Sequence, residues 1–147
     1  MSLSQKCQYA LRAVFELAKQ EGKGPVRIKD ISEAQAIPQR FLEGILAQLK
    51  QIGVVRSTRG KQGGYLLSRK ATNLALGEII RIVDGPIVIV DCSESRPQGE
   101  CRFDKNCVFW PVWEMATQRL SEVYDSVSFS DLVEDERLRS GSSNYII

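Results

Sequence analysis

The sequence predicts a mainly α-helical fold with one small β-hairpin, arranged as a winged helix-turn-helix domain followed by a long C-terminal helix. Three observations carry that prediction. Two short amphipathic segments flank a break at Ile37-Pro38, a basic glycine-rich stretch between β-branched flanks follows them directly, and apolar residues recur in steps of four and three from Phe109 onward. The 147 residues, 43% hydrophobic and 26% charged, suffice for one compact domain with a core of its own.

Leu3, Cys7, Ala10, Leu11, Val14 and Ala18 fall at helical spacing, so the first helix is expected to end near Glu21-Gly22-Lys23-Gly24-Pro25, with Cys7 on its apolar face. Ile28, Ile31 and Ala34 mark a second, short helix. Pro38 suits the first turn of a third, in which Leu42, Ile45, Leu46, Leu49 and Ile52 share a face and Gly53 provides a left-handed exit. Two short helices around a tight turn make a helix-turn-helix, with residues 38–51 as recognition helix. Residues 54–67 read as a β-hairpin whose tip carries Arg59 and Lys61, the wing of such a domain. Gly60-x-x-Gly63-Gly64 matches neither phosphate-loop nor dinucleotide spacing.

Leu76, Ile79, Ile80 and Val83 predict one more short helix closed by Gly85-Pro86, and residues 87–90 are expected to be extended. Residues 91–107 are charged and lack periodicity, the kind of segment that an ordering ligand would fix. Phe109, Trp113, Ala116, Leu120, Val123 and Val127 then form a heptad seam long enough to pair two chains, the alternative being a helix packed on its own domain. Ser128-x-x-Asp131, with Ser130, caps a last short helix, and residues 139–147 read as a loose tail. The expected division is a DNA-binding domain at 1–90, a cysteine loop at 91–107 and a dimerisation helix with its tail at 108–147.

Charge supports a polyanionic partner. Residues 1–90 carry +7 and residues 91–147 carry −5, which together give the net +2. Between Glu43 and Glu78 there is no acidic residue, while Lys50, Arg56, Arg59, Lys61, Arg69 and Lys70 lie there; this is a duplex-DNA surface or simply a solvated basic face. The sequence has no histidine, which removes Ser-His-Asp and Cys-His nucleophile pairs and imidazole zinc sites, so an enzyme is not expected. No signal peptide is recognisable and no apolar run approaches the ~20 residues that cross a bilayer, so a cytoplasmic protein without a membrane partner is expected.

Of four cysteines, Cys92, Cys101 and Cys107 crowd into one loop, separated by eight and five residues. In a reducing compartment such a group binds metal or senses redox state more readily than it forms a structural disulfide. Iron-sulfur binding, a zinc-stabilised loop, a reversible disulfide and three inert thiols are all open on spacing alone.

These residues, taken together, resemble the Rrf2 family of winged-helix transcription regulators over nearly the whole chain. The resemblance is carried by Tyr9-Ala10-Leu11-Arg12-Ala13, Ile28-x-x-Ile31, Ile37-Pro38-x-x-Phe41-Leu42-Glu43-x-Ile45-Leu46, Gly53-Val54-Val55-x-Ser57-x-Arg59-Gly60-x-x-Gly63-Gly64-Tyr65, Gly77-Glu78-Ile79-Ile80-Arg81 and Asp84-Gly85-Pro86-Ile87. It implies a homodimer on an operator, with Gln39, Arg40 and Glu43 in the major groove and Arg56, Ser57, Arg59 and Lys61 on the wing. Glu43 matches a position that tunes base preference, and Arg59 matches a minor-groove arginine.

The cysteine triplet is similar to the loop by which iron-sulfur members hold a 2Fe-2S or 4Fe-4S cluster that answers to iron, redox or nitric oxide status. The fourth ligand differs. The histidine of one branch is replaced by Trp110 and the partner-supplied aspartate of another by Gln8, which leaves Cys7, Asp91, Glu94, Glu100 or Asp104, or an open iron site. Another branch regulates cysteine metabolism through a partner enzyme, and the ending Tyr145-Ile146-Ile147 is similar to that branch.

Overall fold

In a computed structural model, residues 2–92, 101, 103 and 106–143 are described. The helices are α1 (Gln5–Lys19), α2 (Ile28–Gln35), α3 (Gln39–Ile52), α4 (Leu76–Asp84), α5 (Trp110–Ser126) and α6 (Phe129–Ser143), and the strands are β1 (Val55–Thr58) and β2 (Gly64–Leu67). The strands form an antiparallel hairpin with Val55 opposite Leu67 and Thr58 opposite Gly64, so the fold is the expected winged helix.

Helix α1 is the hub, packed against α2, α3, α4, α6 and β2. Its buried Ala10, Ala13, Val14 and Leu17 meet Ile31, Leu42, Ile45, Leu46, Leu49, Leu74 and Ile79 in the main core. The small alanines let the recognition helix approach closely. Local signals set the ends: Ser4 caps α1 by accepting the Cys7 N–H at 3.0 Å, Gly53 closes α3 at φ 86°, and Ala36 takes the left-handed conformation (φ 51°) in the turn between α2 and α3. The Ser32 hydroxyl holds that turn by donating to the Ile37 carbonyl at 2.6 Å.

Three expectations change. Residues 87–90, expected to be extended, bend at 89–90, where the Ile89 N–H donates to the Thr117 hydroxyl at 3.3 Å, while Ile87 joins an apolar cluster with Cys7 and Ile80. Val127 leaves the seam as the extended residue after α5, and its carbonyl accepts the Leu76 N–H at 2.9 Å. Helix α6 runs through residues 139–143, where a tail was expected; its polar surface is held by Arg137–Glu134 and Arg139–Asp135 pairs at 2.7 and 2.8 Å.

Ser128 does cap α6, since its hydroxyl accepts the Asp131 N–H at 3.1 Å and Asp131 accepts the Ser128 N–H at 2.8 Å. Helix α6 returns to α1 through Phe129, Leu132 and Val133 and through the Lys19–Glu136 pair at 3.0 Å.

Candidate nucleic-acid interface and cysteine loop

Helix α3 buries Leu42, Ile45, Leu46 and Leu49 and turns Gln39, Arg40, Glu43 and Gly44 to solvent. At about 100° per residue, Gln39, Glu43 and Lys50 fall in one row, with Arg40 beside it. The Lys50 ammonium donates to the Ser57 hydroxyl at 2.6 Å, which ties the end of the recognition helix to the wing. Lys50 is a contact that sequence reading placed only in a basic stripe; its spacing from Glu43 was the available signal.

The wing is anchored by a third extended segment. Val26 and Tyr65 exchange backbone hydrogen bonds of 2.9 and 2.8 Å, which joins the residues before α2 to β2. Gly64 sits where an added methyl would overlap the Val26 carbonyl, and Gly63 where one would meet the Thr58 carbonyl. The paired glycines thus serve close backbone approach.

Arg56, Arg59 and Lys61 are exposed, and Ser57 is half-buried. Among the described residues, basic side chains with and without a carboxylate partner are both present. Lys19, Arg27, Lys29, Arg69, Arg81, Arg119, Arg137 and Arg139 each pair with a carboxylate. Arg40, Lys50, Arg56, Arg59 and Lys61, on α3 and the wing, have no carboxylate within ion-pair distance. Lys6, Arg12, Lys23 and Lys70 have none either; α3 and the wing thus set five unpaired cations beside the single exposed carboxylate of Glu43, an excess of the sign that phosphate binding requires.

Helix α5 connects to this half through α4. Arg81 forks Asp125 at 2.7 and 2.8 Å, and the guanidinium donors hold the Asp125 carboxyl below its ordinary range. Gly77 leaves the space that the carboxylate occupies. Of the seam residues, Leu120 and the neighbouring Tyr124 pack on Ile80, Ile87 and Cys7, and Trp113 is half-buried and stacks on Phe109 at 6.1 Å. Ala116 and Val127 are half-buried, whereas Phe109 and Val123 are exposed together with Val112 and Met115, two residues outside the predicted seam.

The four cysteines are free thiols. Cys92 is exposed and Cys101 and Cys107 are half-buried, and among the described residues no three Cys, Asp or Glu side chains converge on a metal position. The donor set itself fits an iron-sulfur cluster, since three unpaired thiols stand in one loop between α4 and α5. Asp91 is exposed beside Cys92, while Glu94, Glu100 and Asp104 lie outside the described residues.

Cys7 behaves differently. It is fully buried, and its thiol is pushed up to about 12, first by burial and then by the nearby Asp84 carboxylate. That is a core thiol. Native protein at pH 8 is expected to take N-ethylmaleimide on the loop cysteines and leave Cys7 unmodified until denaturant is added; a native adduct on Cys7 by peptide mass spectrometry would contradict its burial.

The family profile for Rrf2, described as an iron-dependent transcriptional regulator, matches residues 3–135. The chain belongs to the Rrf2 family. Among Rrf2 relatives, the HTH-type transcriptional regulator IscR of Klebsiella pneumoniae (strain 342) is 33% identical over 138 residues, 94% of this chain and 83% of that protein. The solved structure of T. potens IscR shares 34% identity at a TM-score of 0.75, covering 92% of this chain and 88% of that one. CymR, the global cysteine regulator of B. subtilis, shares 30% identity at a TM-score of 0.75 over 91% and 97% of the two chains. This Rrf2 protein is a DNA-binding, IscR-like transcriptional regulator. Among its described residues, no helix is long and apolar enough to cross a membrane.

Proposed function

We propose that this Rrf2 regulator binds operator DNA as a homodimer and is controlled by an iron-sulfur cluster on Cys92, Cys101 and Cys107. The observation that carries the reading is the set of three free thiols, one exposed and two half-buried, in the loop that joins α4 to α5. When bound, the cluster supplies a redox-active, oxidant-sensitive group whose charge changes with its state. The chain's own residues do the rest. Gln39 and Glu43 face the major groove, Arg56, Ser57, Arg59 and Lys61 lie along the backbone and minor groove, and the apolar side of α5 pairs with a second copy. A change of order in the loop reaches the DNA-binding half through the Arg81–Asp125 fork and the contacts of Leu120 and Tyr124. The burial of Cys7 favours a core role for it over ligation, so the candidates to complete the site are Asp91, the acidic residues beyond it or an exchangeable group.

The test is anaerobic purification and reconstitution, followed by iron and sulfide analysis, visible absorption and operator binding with and without the cluster. Expected are stoichiometric iron and sulfide, charge-transfer absorption, loss of both in the triple Cys→Ser protein, and a difference in operator affinity between the two forms. Colourless protein that instead loses two hydrogens under peroxide would assign the loop to thiol–disulfide sensing.

A further inference from the structure

A cavity of about 400 Å³ lies between the start of α1 and the start of the recognition helix, lined by Gln5, Lys6, Tyr9, Arg40, Phe41, Gly44 and Ile45. Its floor is apolar and its rim is cationic. Gly44 contributes no side chain, and an added Cβ there would touch nothing within 4 Å, so the cavity is open toward the exposed face of α3.

Arg40 does not stand straight out from its helix. Its guanidinium carbon lies 5.0 Å from the Phe41 ring centroid, and Phe41 contacts Tyr9 at 5.9 Å between ring centroids. This stack leans Arg40 toward α1, away from the row of Gln39, Glu43 and Lys50 that borders the wing. From α1, Lys6 is exposed on the same cavity, and the Gln5 amide donates to the Tyr9 hydroxyl at 3.1 Å, leaving the Tyr9 O–H free to donate in turn. Neither Lys6 nor Arg40 has a carboxylate partner among the described residues.

We propose that Lys6, Tyr9 and Arg40 form a clamp for one backbone phosphate of duplex DNA, so that Arg40 positions the recognition helix and does not read a base. This rests on the DNA-binding reading and deepens it. The chemistry of the cavity matches a nucleotide backbone: two cations and a phenol O–H for the phosphate oxygens, and Phe41 and Ile45 for the apolar edge of the adjoining deoxyribose. A base-reading arginine needs its fork extended into the groove to meet a guanine edge; here the guanidinium carbon lies over the Phe41 ring, whose aromatic neighbour Tyr9 belongs to another helix. Bound this way, α1 would fix how deep α3 sits, leaving sequence choice to Gln39 and Glu43.

The test compares full-length parent, Lys6→Ala, Arg40→Gln and Gln39→Ala in two measurements: affinity for a mixed-sequence duplex across a salt series, and the base preferences selected from a randomised duplex pool. Lys6→Ala and Arg40→Gln should each weaken mixed-sequence binding several-fold, lower the slope of log affinity against log salt by about one, and select the parental bases. Gln39→Ala should alter the selected bases at an unchanged slope. An Arg40→Gln protein that selects a different base overturns the assignment, as does a Lys6→Ala protein with the parental slope. The parent measured alongside separates two failures: a parent that ignores duplex DNA removes DNA binding altogether, whereas a parent whose slope the variants retain removes the clamp alone.

Discussion

Phe129→Ala is expected to lower the unfolding free energy by about 3–5 kcal/mol. Phe129 is 1% exposed although it begins a helix whose remaining surface is largely charged. It closes the main core from below α1, with Leu11, Phe15, Leu76 and Leu132 around it. Its N–H donates to the Leu74 carbonyl at 3.0 Å, so the ring is delivered to the core by a backbone bridge that the side chain in turn stabilises. Truncation removes the apolar contact and leaves a cavity that the bridge and the Ser128 cap prevent from collapsing. Urea denaturation followed by circular dichroism should show an earlier midpoint at unchanged m-value, and a melting temperature lower by roughly 10–20 °C. Phe129→Leu should retain most of the stability. A loss under about 1 kcal/mol for the alanine variant would mean that α6 is not part of the folding unit.

Phe129 also shows where sequence reading stops. The helix-turn-helix was legible because Leu42, Ile45, Leu46 and Leu49 repeat with the helical period and Gly53 ends them at a positive φ. Helix α6 was half-legible: Ser128 and Asp131 announce its start, but a helix held by Glu134–Arg137 and Asp135–Arg139 pairs has no apolar period to reveal its length. The Arg81–Asp125 fork joins residues 44 apart and leaves no local trace. The wing glycines were read only as part of a glycine-rich hairpin, while the reason for Gly64 is the Val26 carbonyl, which belongs to a segment that no pattern had marked as extended.

Cys7 was legible as a core residue from spacing alone, because a buried free thiol packs as a small hydrophobe. The three loop cysteines were read as a donor set; among the described residues they do not converge on a metal position, and gathering them would fall to the proposed cluster. The seam on α5 was read as one row because the apolar residues there occupy two adjacent faces, and a step of three or four passes equally well along either. Only the positions of Ile80 and Ile87 decide which face is covered within the chain.

The uncovered face of α5 yields the second large effect: Met115→Glu is expected to convert the proposed dimer into a monomer and to weaken binding to an operator of two half-sites on the order of 100-fold. Phe109, Val112, Met115 and Val123 are 60%, 54%, 61% and 58% exposed, a concentration of large apolar groups that a soluble monomer does not ordinarily display along one helix. At 100° per residue Val123, Val112 and Met115 lie about 60°, 80° and 140° around α5 from Leu120, so a second chain can cover them without disturbing the contacts with α4. A carboxylate in the middle of that row would be buried on pairing with no cation prescribed for it, a cost of several kcal/mol against the dimer and none against the fold. The loss on DNA then follows from valence: with the two domains unlinked, the second half-site is met at bulk concentration rather than at the effective concentration that the dimer provides. Light scattering after size exclusion should report the monomer mass with unchanged helical circular dichroism, while binding to a single half-site is retained and Met115→Leu behaves as the parent. A Met115→Glu protein that remains dimeric would place the pairing surface elsewhere, and the exposed row on α5 would then need another occupant.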